Sequence, residues 1–482
     1  MTEHTHRKMN PLDLPLDCLI TIFSYLHDED LITTSHVCKA WQEAAETPWL
    51  WRKMCLQRWG FCNIAGFLSG IDKQSWKSYY MRRALLELKM KTGASGSDYN
   101  CQSLRGHNGR ISGAAYLAGT SVTSEFWKES SIVCSASKDG TVIAWNVQKA
   151  EQLWSSPVQR PLCDIVVDLQ SNAVVTVDDR GMVKSWEGST GQEMASYSTG
   201  APRNTLYACN ISDKPVITVG SSNGTLHTLT SPSLAKLSSH VAFDSLTGLD
   251  LILSSPDKKW IFTASKNTSV FSPKVFLSES LSSGPEGEGP VSTSLPSSAT
   301  GCFAAAFVPS HPARVAVVHS GQLSRTKRLC VFDISMKMMK YEEAPFAQQV
   351  ESFELELPQV SGVLLQARDG NTLVVAAGSQ LRVYSLKGAL LHSMEDHTQH
   401  ISSLWVDSFR VVTASRDLSL RVLTWSQDNE KGLRLDSRYH LLGGSHSMSS
   451  GFTFVTCDDI SIVGSVEGVN GKDVLKAYTF NS

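Results

Sequence analysis

A strand–turn–strand unit recurs through most of the chain, and this recurrence constrains the fold more than any other feature of the sequence. The best-formed copies begin with Ser or Thr, continue through a polar turn, and start at Ser135, Thr176, Thr218, Thr263 and Thr413. The first four follow one another at intervals of about 40 to 45 residues, which is the spacing of propeller blades that contain four short strands each. The period therefore predicts a mainly β protein, folded as a β-propeller.

Weaker copies of the unit complete the predicted ring of blades. They lie at Cys302–Ser335, Val360–Leu386 and Phe452–Phe480, which brings the preferred number of blades to eight. Because the units between residues 248 and 386 are irregular, seven blades are also consistent with the sequence. A strand from about Tyr99 to Leu104 is expected to complete the last blade, so that no open sheet edge remains between the chain ends.

One stretch within the propeller has a composition that does not support packing. Residues 278–300 are rich in Ser, Gly and Pro and contain few large apolar side chains. Such a composition predicts a disordered loop, here near the junction of the fourth and fifth blades.

The first hundred residues have a helical hydrophobic period instead. Leu19, Ile22, Phe23 and Leu26 follow the i, i+3, i+4, i+7 spacing of one helical face. A further helix is expected over residues 75–91. The change of period near residue 100 divides the chain into a flexible N-terminus at 1–9, a small all-α module at 10–60, a helical linker at 61–98 and the propeller at 99–482.

Two sets of residues resemble known motifs. The first set resembles an F-box and covers about residues 10–60. It consists of Leu14 to Leu19, Ile22 to Leu26, Asp30-Leu31, Val37 to Trp41 and Leu50-Trp51. The repeats resemble WD repeats, most completely in the first, where Gly106-His107 is followed by Ser135, Asp139 and Trp145-Asn146. Together the two motifs resemble the F-box and WD-repeat protein family over nearly the whole chain.

The repeats also depart from the WD pattern. The second has Arg180 where the first has Asp139, and the last well-formed one has Asp396-His397 in place of Gly-His, although it keeps Asp417.

The resemblance implies a substrate-recognition component of an SCF (Skp–cullin–F-box) E3 ubiquitin-protein ligase. The F-box would bind a Skp-type adaptor, and through it a cullin and a RING protein. The propeller would bind a protein substrate for ubiquitination and proteasomal degradation, with a requirement for substrate phosphorylation left open. The alternative is a WD-repeat scaffold for protein interactions without ubiquitin output. By the same resemblance, the adaptor-contact and F-box-core residues are Leu14, Pro15, Leu19, Ile22, Phe23, Leu26, Val37, Cys38, Trp41 and Trp51.

A candidate substrate surface follows from the WD resemblance. In such propellers the turns between second and third strands and the connections between blades share one face, and here these segments contain Arg110, Lys138, Arg160, Arg180, Arg203, Lys266 and Arg416. Lys138 and Arg416 occupy a turn position at which some family members bind phosphorylated peptides, since cationic side chains pair with phosphate oxygens. The second position that those members use holds Ser112 and Ser402, so the sequence supports a phosphopeptide ligand only in part.

Composition and motifs favour a non-catalytic protein. The net charge of −2 provides no whole-chain field that would drive binding to nucleic acid or a membrane. The 11 cysteines include no CxxC pair, and the 14 histidines show no metal-ligand spacing. A propeller enzyme would need convergent carboxylates or a metal in its channel, and the sequence indicates neither. No cofactor is expected.

The polar N-terminus resembles no signal peptide. It predicts a cytoplasmic protein, with entry into the nucleus left open.

Overall fold

The computed structural model describes residues 14–59, 75–117, 131–243, 247–266, 272–283, 289–296, 301–320, 326–339, 342–357, 362–428, 432–444 and 448–480. The chain divides into two compact units, one reaching Lys91 and the other beginning at Thr92. The predicted flexible N-terminus at 1–9 lies outside the described residues, as does much of the predicted linker.

The first unit consists of short helices around one apolar cluster. Its described helices are α1 (Leu16–Phe23), α2 (Asp28–Thr34), α3 (Lys39–Ala45), α4 (Pro48–Trp59) and α5 (Ser75–Thr92). The helix expected over 75–91 is present as α5. Helix α1 starts immediately after Pro15, whose carbonyl accepts the N–H groups of Cys18 and Leu19 at 3.0 and 3.1 Å. The helical period places Leu19 and Phe23 in the buried cluster.

A polar network joins three of these helices. Arg58 on α4 lies 3.1 Å from Asp28 on α2 and 3.2 Å from Glu87 on α5. The Tyr80 hydroxyl donates to Asp28 at 2.8 Å. Burial alone would raise the pKa of Asp28, but the Tyr80 hydroxyl and the Arg58 charge outweigh it and hold this pKa below its usual value. The network therefore keeps an ionised carboxylate between helices that are distant in sequence.

The second unit is an eight-bladed propeller. Its described strands form eight antiparallel sheets of four strands each, with the strands of seven sheets consecutive in the chain.

Blades 1 to 4 are β2 (Ile111–Leu117), β3 (Ile132–Ser137), β4 (Val142–Asn146), β5 (Glu151–Ser155); β6 (Leu162–Asp168), β7 (Ala173–Asp178), β8 (Met182–Glu187), β9 (Glu193–Ser198); β10 (Thr205–Ile211), β11 (Lys214–Gly220), β12 (Thr225–Thr230), β13 (Lys236–Val241); and β14 (Leu251–Ser254), β15 (Trp260–Ala264), β16 (Lys274–Leu277), β17 (Ser292–Ser294).

Blades 5 to 8 are β18 (Ala304–Phe307), β19 (Arg314–Ser320), β20 (Lys327–Met339), β21 (Glu342–Leu355); β22 (Val363–Ala367), β23 (Thr372–Ala377), β24 (Gln380–Ser385), β25 (Leu390–Met394); β26 (Ile401–Val406), β27 (Arg410–Ser415), β28 (Ser419–Asp428), β29 (Gly432–Leu442); and β30 (Ser449–Cys457), β31 (Ser461–Gly468), β32 (Val474–Phe480), with β1 (Tyr99–Leu104) as the fourth strand.

The ring is closed by the strand that precedes blade 1. Strand β1 pairs antiparallel with β32, from Tyr99 opposite Phe480 to Leu104 opposite Leu475. The prediction of a closing strand at Tyr99–Leu104 and the preferred number of eight blades are both confirmed. Between neighbouring blades, apolar side chains interdigitate, as in the buried cluster that Leu104 and Leu475 form with Trp145 of blade 1.

The prediction of a disordered loop over 278–300 was wrong for part of that stretch. Residues Ser280–Ser283 form the short helix α6, and Ser292–Ser294 form the outer strand β17 of blade 4. Leu281 and Leu295 are buried in the clusters on either side of the blade, which fixes the segments around them. Positions 284–288 and 297–300 lie outside the described residues.

Candidate functional site

The turns between second and third strands and the connections between blades lie along one edge of the propeller, called here the connection edge. At blade 1 this edge is held by a buried polar network. His107 Nδ1 lies 3.2 Å from an Asp139 carboxylate oxygen, His107 Nε2 lies 2.8 Å from the Ser135 hydroxyl, and the Trp145 indole donates to that hydroxyl at 2.9 Å. Burial alone would raise the pKa of Asp139, but hydrogen bonds from His107, Thr141 and backbone N–H groups hold it far below its usual range. The network fixes the turn as a rigid support for its neighbours.

Blade 7 contains the histidine, aspartate and hydroxyl members of this network, without the tryptophan, although its sequence departs from the Gly-His pattern. His397 Nδ1 lies 2.9 Å from Asp417, and His397 Nε2 lies 2.7 Å from the Thr413 hydroxyl. Asp396 therefore replaces the glycine without loss of the histidine's role.

Blade 2 fixes its turn with a different carboxylate. Asp178 accepts the backbone N–H groups of Arg180 and Met182 at 2.9 and 2.8 Å. Because Asp178 caps the turn from within, Arg180 is free to occupy the position that Asp139 has in blade 1, with its side chain in solvent.

All seven basic residues predicted for the substrate surface lie on the connection edge, in two groups. Five are exposed and lie on turns or connections of blades 1 to 4: Lys138, Arg160, Arg180, Arg203 and Lys266. Lys138 approaches the Cys163 thiol at 3.2 Å.

The other two, Arg110 and Arg416, are half-buried and pair with the same carboxylate. Arg416 from blade 7 and Arg110 from the connection into blade 1 both contact Glu467 at the end of β31. Arg110 also lies 3.4 Å from Asp473. Glu467 thus brings these two cations together and neutralises part of their charge, which reduces their availability to an external anion.

Ser112 and Ser402 tie neighbouring blades together. Ser112 donates to the Leu162 carbonyl of blade 2 at 2.6 Å, and Ser402 donates to the Phe452 carbonyl of blade 8 at 2.7 Å. Both occupy bulges at the start of a first strand. Their hydroxyls are therefore engaged in the ring itself.

The helical unit presents a second candidate surface, and burial separates the ten predicted F-box residues. Leu19, Phe23 and Trp51 are buried, with the Trp51 indole donating to the Ala45 carbonyl at 2.8 Å. Leu14, Leu26, Cys38 and Trp41 are half-buried, whereas Pro15, Ile22 and Val37 are exposed. Of the ten, these last three side chains are the most accessible to a partner.

Other apolar residues were missing from the predicted set yet are equally accessible. Leu16 is 40% exposed, Trp49 is 53% exposed and Tyr25 is 83% exposed. The Lys53 ammonium lies 5.7 Å from the Tyr25 ring and 5.5 Å from the Trp49 ring, so the two aromatic side chains flank one cation. Leu16 and Tyr25 lie within the quoted F-box residues, but only the folded helices reveal which members face outward.

In the described residues, no cluster of His, Cys, Asp and Glu side chains is arranged to hold a metal ion. The helices described here are all too short or too polar to span a bilayer.

Comparisons with known proteins agree with the two-part architecture. Residues 11–57 match the F-box-like family. The chain is 29% identical over 476 residues to the human F-box/WD repeat-containing protein 12, covering 97% of this chain and 99% of that protein. It is 27% identical to the mouse F-box/WD repeat-containing protein 15, covering 98% of this chain and 99% of the relative. Among solved structures, the computationally designed Ika8 protein is similar in fold, with a TM-score of 0.55 and 19% identity over 79% of this chain and 98% of that one.

Proposed function

The chain belongs to the F-box and WD-repeat protein family, and on that premise we propose that it is the substrate-recognition component of an SCF-type E3 ubiquitin-protein ligase. F-box domains in general bind a Skp-type adaptor, which would connect this chain to a cullin and a RING protein. The propeller binds the protein to be modified. The chain itself performs no chemistry, and its contribution is to raise the effective concentration of the substrate's acceptor lysine near the conjugating enzyme.

The observation that carries this proposal is the exposed apolar surface of the F-box helices. Ile22 is 49% exposed and Val37 is 53% exposed, and Leu16, Tyr25 and Trp49 are exposed as well. Several exposed large apolar side chains on a unit of this size are characteristic of a protein interface, and aromatic residues dominate the energetics of such interfaces. A helical adaptor would bury this surface, while the buried Leu19, Phe23 and Trp51 maintain the shape that it recognises.

The connection edge supports the substrate half of the proposal. The five exposed cations of the predicted set lie on turns and connections of blades 1 to 4, whereas Arg110 and Arg416 are engaged with Glu467. A rigid disc with cationic loops is suited to an acidic or phosphorylated segment of another protein. We therefore assign the exposed part of the predicted surface to substrate contact. Its residues are Lys138, Arg160, Arg180, Arg203 and Lys266.

The test is capture of partners from cells by the full-length protein and by a variant with Ile22→Glu and Val37→Glu. Both positions are exposed, so the substitutions leave the helical cluster folded while they place charge in the adaptor interface. We expect the parent to capture the Skp-type adaptor and cullin and the variant to lose at least 90% of both, which corresponds to a tenfold weakening. Leu85→Glu is the matched control, because Leu85 is an exposed apolar residue of α5, outside the F-box match.

Retention of adaptor and cullin by the double variant would place the interface elsewhere. Absence of an adaptor from the parent's partners would reject the ligase assignment and favour the alternative, a propeller scaffold for protein interactions. A second experiment then tests ligase activity. It measures ubiquitination of a propeller-bound protein in the reconstituted complex, with the double variant as negative control.

A further inference from the structure

A cavity of about 550 Å³ opens on the connection edge between blade 7 and blade 8. Its walls come from the residues described on either side of positions 445–447, the ends of β31 and β32, and the segment that follows β1. The volume lies within the range of pockets that bind drug-sized ligands or several peptide side chains. None of the basic residues assigned above to substrate contact lines it.

Among the described residues that line the cavity, three are cations and one is a carboxylate. The cations are Arg105, Lys472 and Lys476, and the carboxylate is Asp473. Asp473 is 3% exposed, and its oxygens accept the backbone N–H groups of Ile111 at 2.9 Å and Gly468 at 3.2 Å, besides the contact with Arg110. Its hydrogen-bonding capacity is therefore committed to the turn and not to the three cations.

The three cations keep unused donors. The Lys476 ammonium is half-buried and donates to the neutral Ser103 hydroxyl at 2.8 Å, and the Lys472 ammonium donates to the Asn108 side-chain oxygen at 3.0 Å. Arg105 is exposed, and in the part of the chain that the structure describes it has no ion pair. An ammonium has three donors and a guanidinium has five, so most of this capacity remains available. A half-buried ammonium without a carboxylate partner is also electrostatically uncompensated, which an incoming anion would correct.

One wall of the cavity is apolar. Met448, which is 69% exposed, lines it together with Val466 and Val474, and the glycines Gly443 and Gly444 contribute no side chains to the lining. A methionine adapts its shape to different apolar partners. The cavity therefore combines a cationic side, an apolar side and open access to backbone.

We propose that this cavity binds an acidic peptide segment of the substrate, with an anionic group against Arg105, Lys472 and Lys476 and a neighbouring apolar side chain against Met448. The anion is a glutamate or aspartate carboxylate, a phosphorylated side chain or a free C-terminal carboxylate, since all three accept hydrogen bonds from the same donors. The inference rests on the proposed function for the identity of the ligand as a substrate, whereas peptide binding can be measured without it.

The experiment measures binding of fluorescent nine-residue peptides of glycine and serine to the purified full-length protein by anisotropy. Three peptides are amidated at the C-terminus and contain two leucines flanking one variable position, which is glutamate, phosphoserine or glutamine. A fourth peptide ends in leucine with a free carboxylate. We expect the anionic peptides to bind at least tenfold more tightly than the glutamine peptide, and the ranking among the three identifies the source of the anion. Binding should weaken between 50 and 300 mM NaCl, because ion pairing at a partly exposed site is screened.

Two variants locate the site. Arg105→Gln with Lys476→Met should lose at least 90% of the affinity for the anionic peptides, and methionine preserves most of the apolar stem of Lys476. The matched control is Lys214→Met, which removes an exposed ammonium at the opposite edge of blade 3, at the turn between β10 and β11. Thermal unfolding within about 2 °C of the parent verifies that each variant is folded.

Equal affinity for the glutamine and anionic peptides, no binding to the parent at millimolar peptide, or full affinity in the double variant would each overturn the inference. Adaptor capture by the same preparations separates this outcome from the proposed function. A parent protein that captures the adaptor but does not bind the anionic peptides refutes the cavity alone, and a parent that binds the peptides but captures no adaptor refutes the ligase assignment alone.

Discussion

A single half-buried carboxylate shows how one residue can link neighbouring blades at an electrostatic cost. Asp164, on the first strand of blade 2, accepts the N–H of Leu206 in blade 3 at 2.9 Å and that of Ile165 at 2.9 Å. Burial raises its pKa to about 6 despite these hydrogen bonds. In blade 7 the corresponding acceptor is the Ser403 hydroxyl, which receives the Val455 N–H at 3.2 Å. A neutral group therefore performs the same structural role.

The raised pKa gives a prediction for the pH dependence of stability. The folded-state pKa of Asp164 is about 6 and its ordinary value is 3.8, so between these values the folded protein binds the proton and the unfolded chain does not. This residue's contribution to the free energy of unfolding is greatest below pH 3.8, falls as the pH rises through 6, and then stays constant. The total fall is up to about 3 kcal/mol.

Asp164→Asn should remove that fall, because the amide oxygen still accepts the Leu206 N–H but does not ionise. We expect the difference in stability between variant and parent, measured by urea unfolding from pH 4.5 to 8, to increase in favour of the variant as the pH rises. Asp179→Asn, at an exposed turn position, is the control for the general loss of one carboxylate. Parallel profiles for Asp164→Asn and the parent would refute the prediction.

At the scale of the element, strand β1 closes the propeller. It comes from before blade 1 and supplies the outer strand of blade 8. Leu104 at its end is 2% exposed and packs in the cluster that joins blades 8 and 1. The outer strand of a closing blade needs such an anchor, because its other edge faces solvent.

Leu104→Ala should therefore destabilise the closure. Loss of a buried leucine side chain costs about 2 to 4 kcal/mol, and we expect faster hydrogen–deuterium exchange in residues 475–480, which pair with β1. Asn100→Ala, at an exposed position of the same strand, is the control and should change stability by less than about 0.5 kcal/mol. If both substitutions affect exchange equally, the anchor is not at Leu104.

The elements that could be predicted are those encoded by local periodicity. The repeat of about 40 to 45 residues indicates the blades, and the spacing of Leu19 and Phe23 indicates the core face of α1. The ordered parts of 278–300 could not be predicted, since Leu281 and Leu295 are fixed by packing against distant segments. Composition within a window contains no information on such partners.

For the candidate site, the sequence predicted which edge of the propeller carries the basic residues but not how those residues pair. The turn pattern placed seven basic residues on one edge, but not the pairing of Arg110 and Arg416 with Glu467, which is 51 residues from Arg416. The cavity next to Lys476 depends on β1 closing beside β32, so its cationic side combines residues from opposite ends of the propeller sequence. Sequence reasoning had no local signal for either arrangement.

At the scale of the whole molecule, the basic residues of the connection edge differ in how far they are neutralised. Of the seven predicted ones, the five over blades 1 to 4 are exposed, whereas Arg110 and Arg416 are partly neutralised by one acidic residue, Glu467. Since the net charge of the chain is only −2, local arrangement rather than total charge decides where an anionic ligand approaches.

Glu467→Gln should redistribute this charge without adding a cation. The substitution releases Arg110 and Arg416 from their shared carboxylate, and their guanidinium groups then become available to phosphate or carboxylate oxygens. We expect the affinity for acidic or phosphorylated peptides to rise about threefold to tenfold at 50 mM NaCl and the gain to shrink at 300 mM NaCl, because the added interaction is largely electrostatic. Fluorescence anisotropy with the leucine-flanked glutamate and phosphoserine peptides measures it.

Glu395→Gln separates the release of the arginines from a general loss of negative charge. Glu395 is exposed on the same edge, in the connection between blades 6 and 7, and accepts the Ser379 hydroxyl at 2.9 Å without contacting an arginine in the described structure. Glu395→Gln removes the same charge as Glu467→Gln. An equal gain in peptide affinity from both variants would therefore attribute the effect to the electrostatic field of the whole edge. A gain confined to Glu467→Gln would mean that this carboxylate limits anion binding by occupying two arginines, and no gain in either would mean that the pair does not face the ligand.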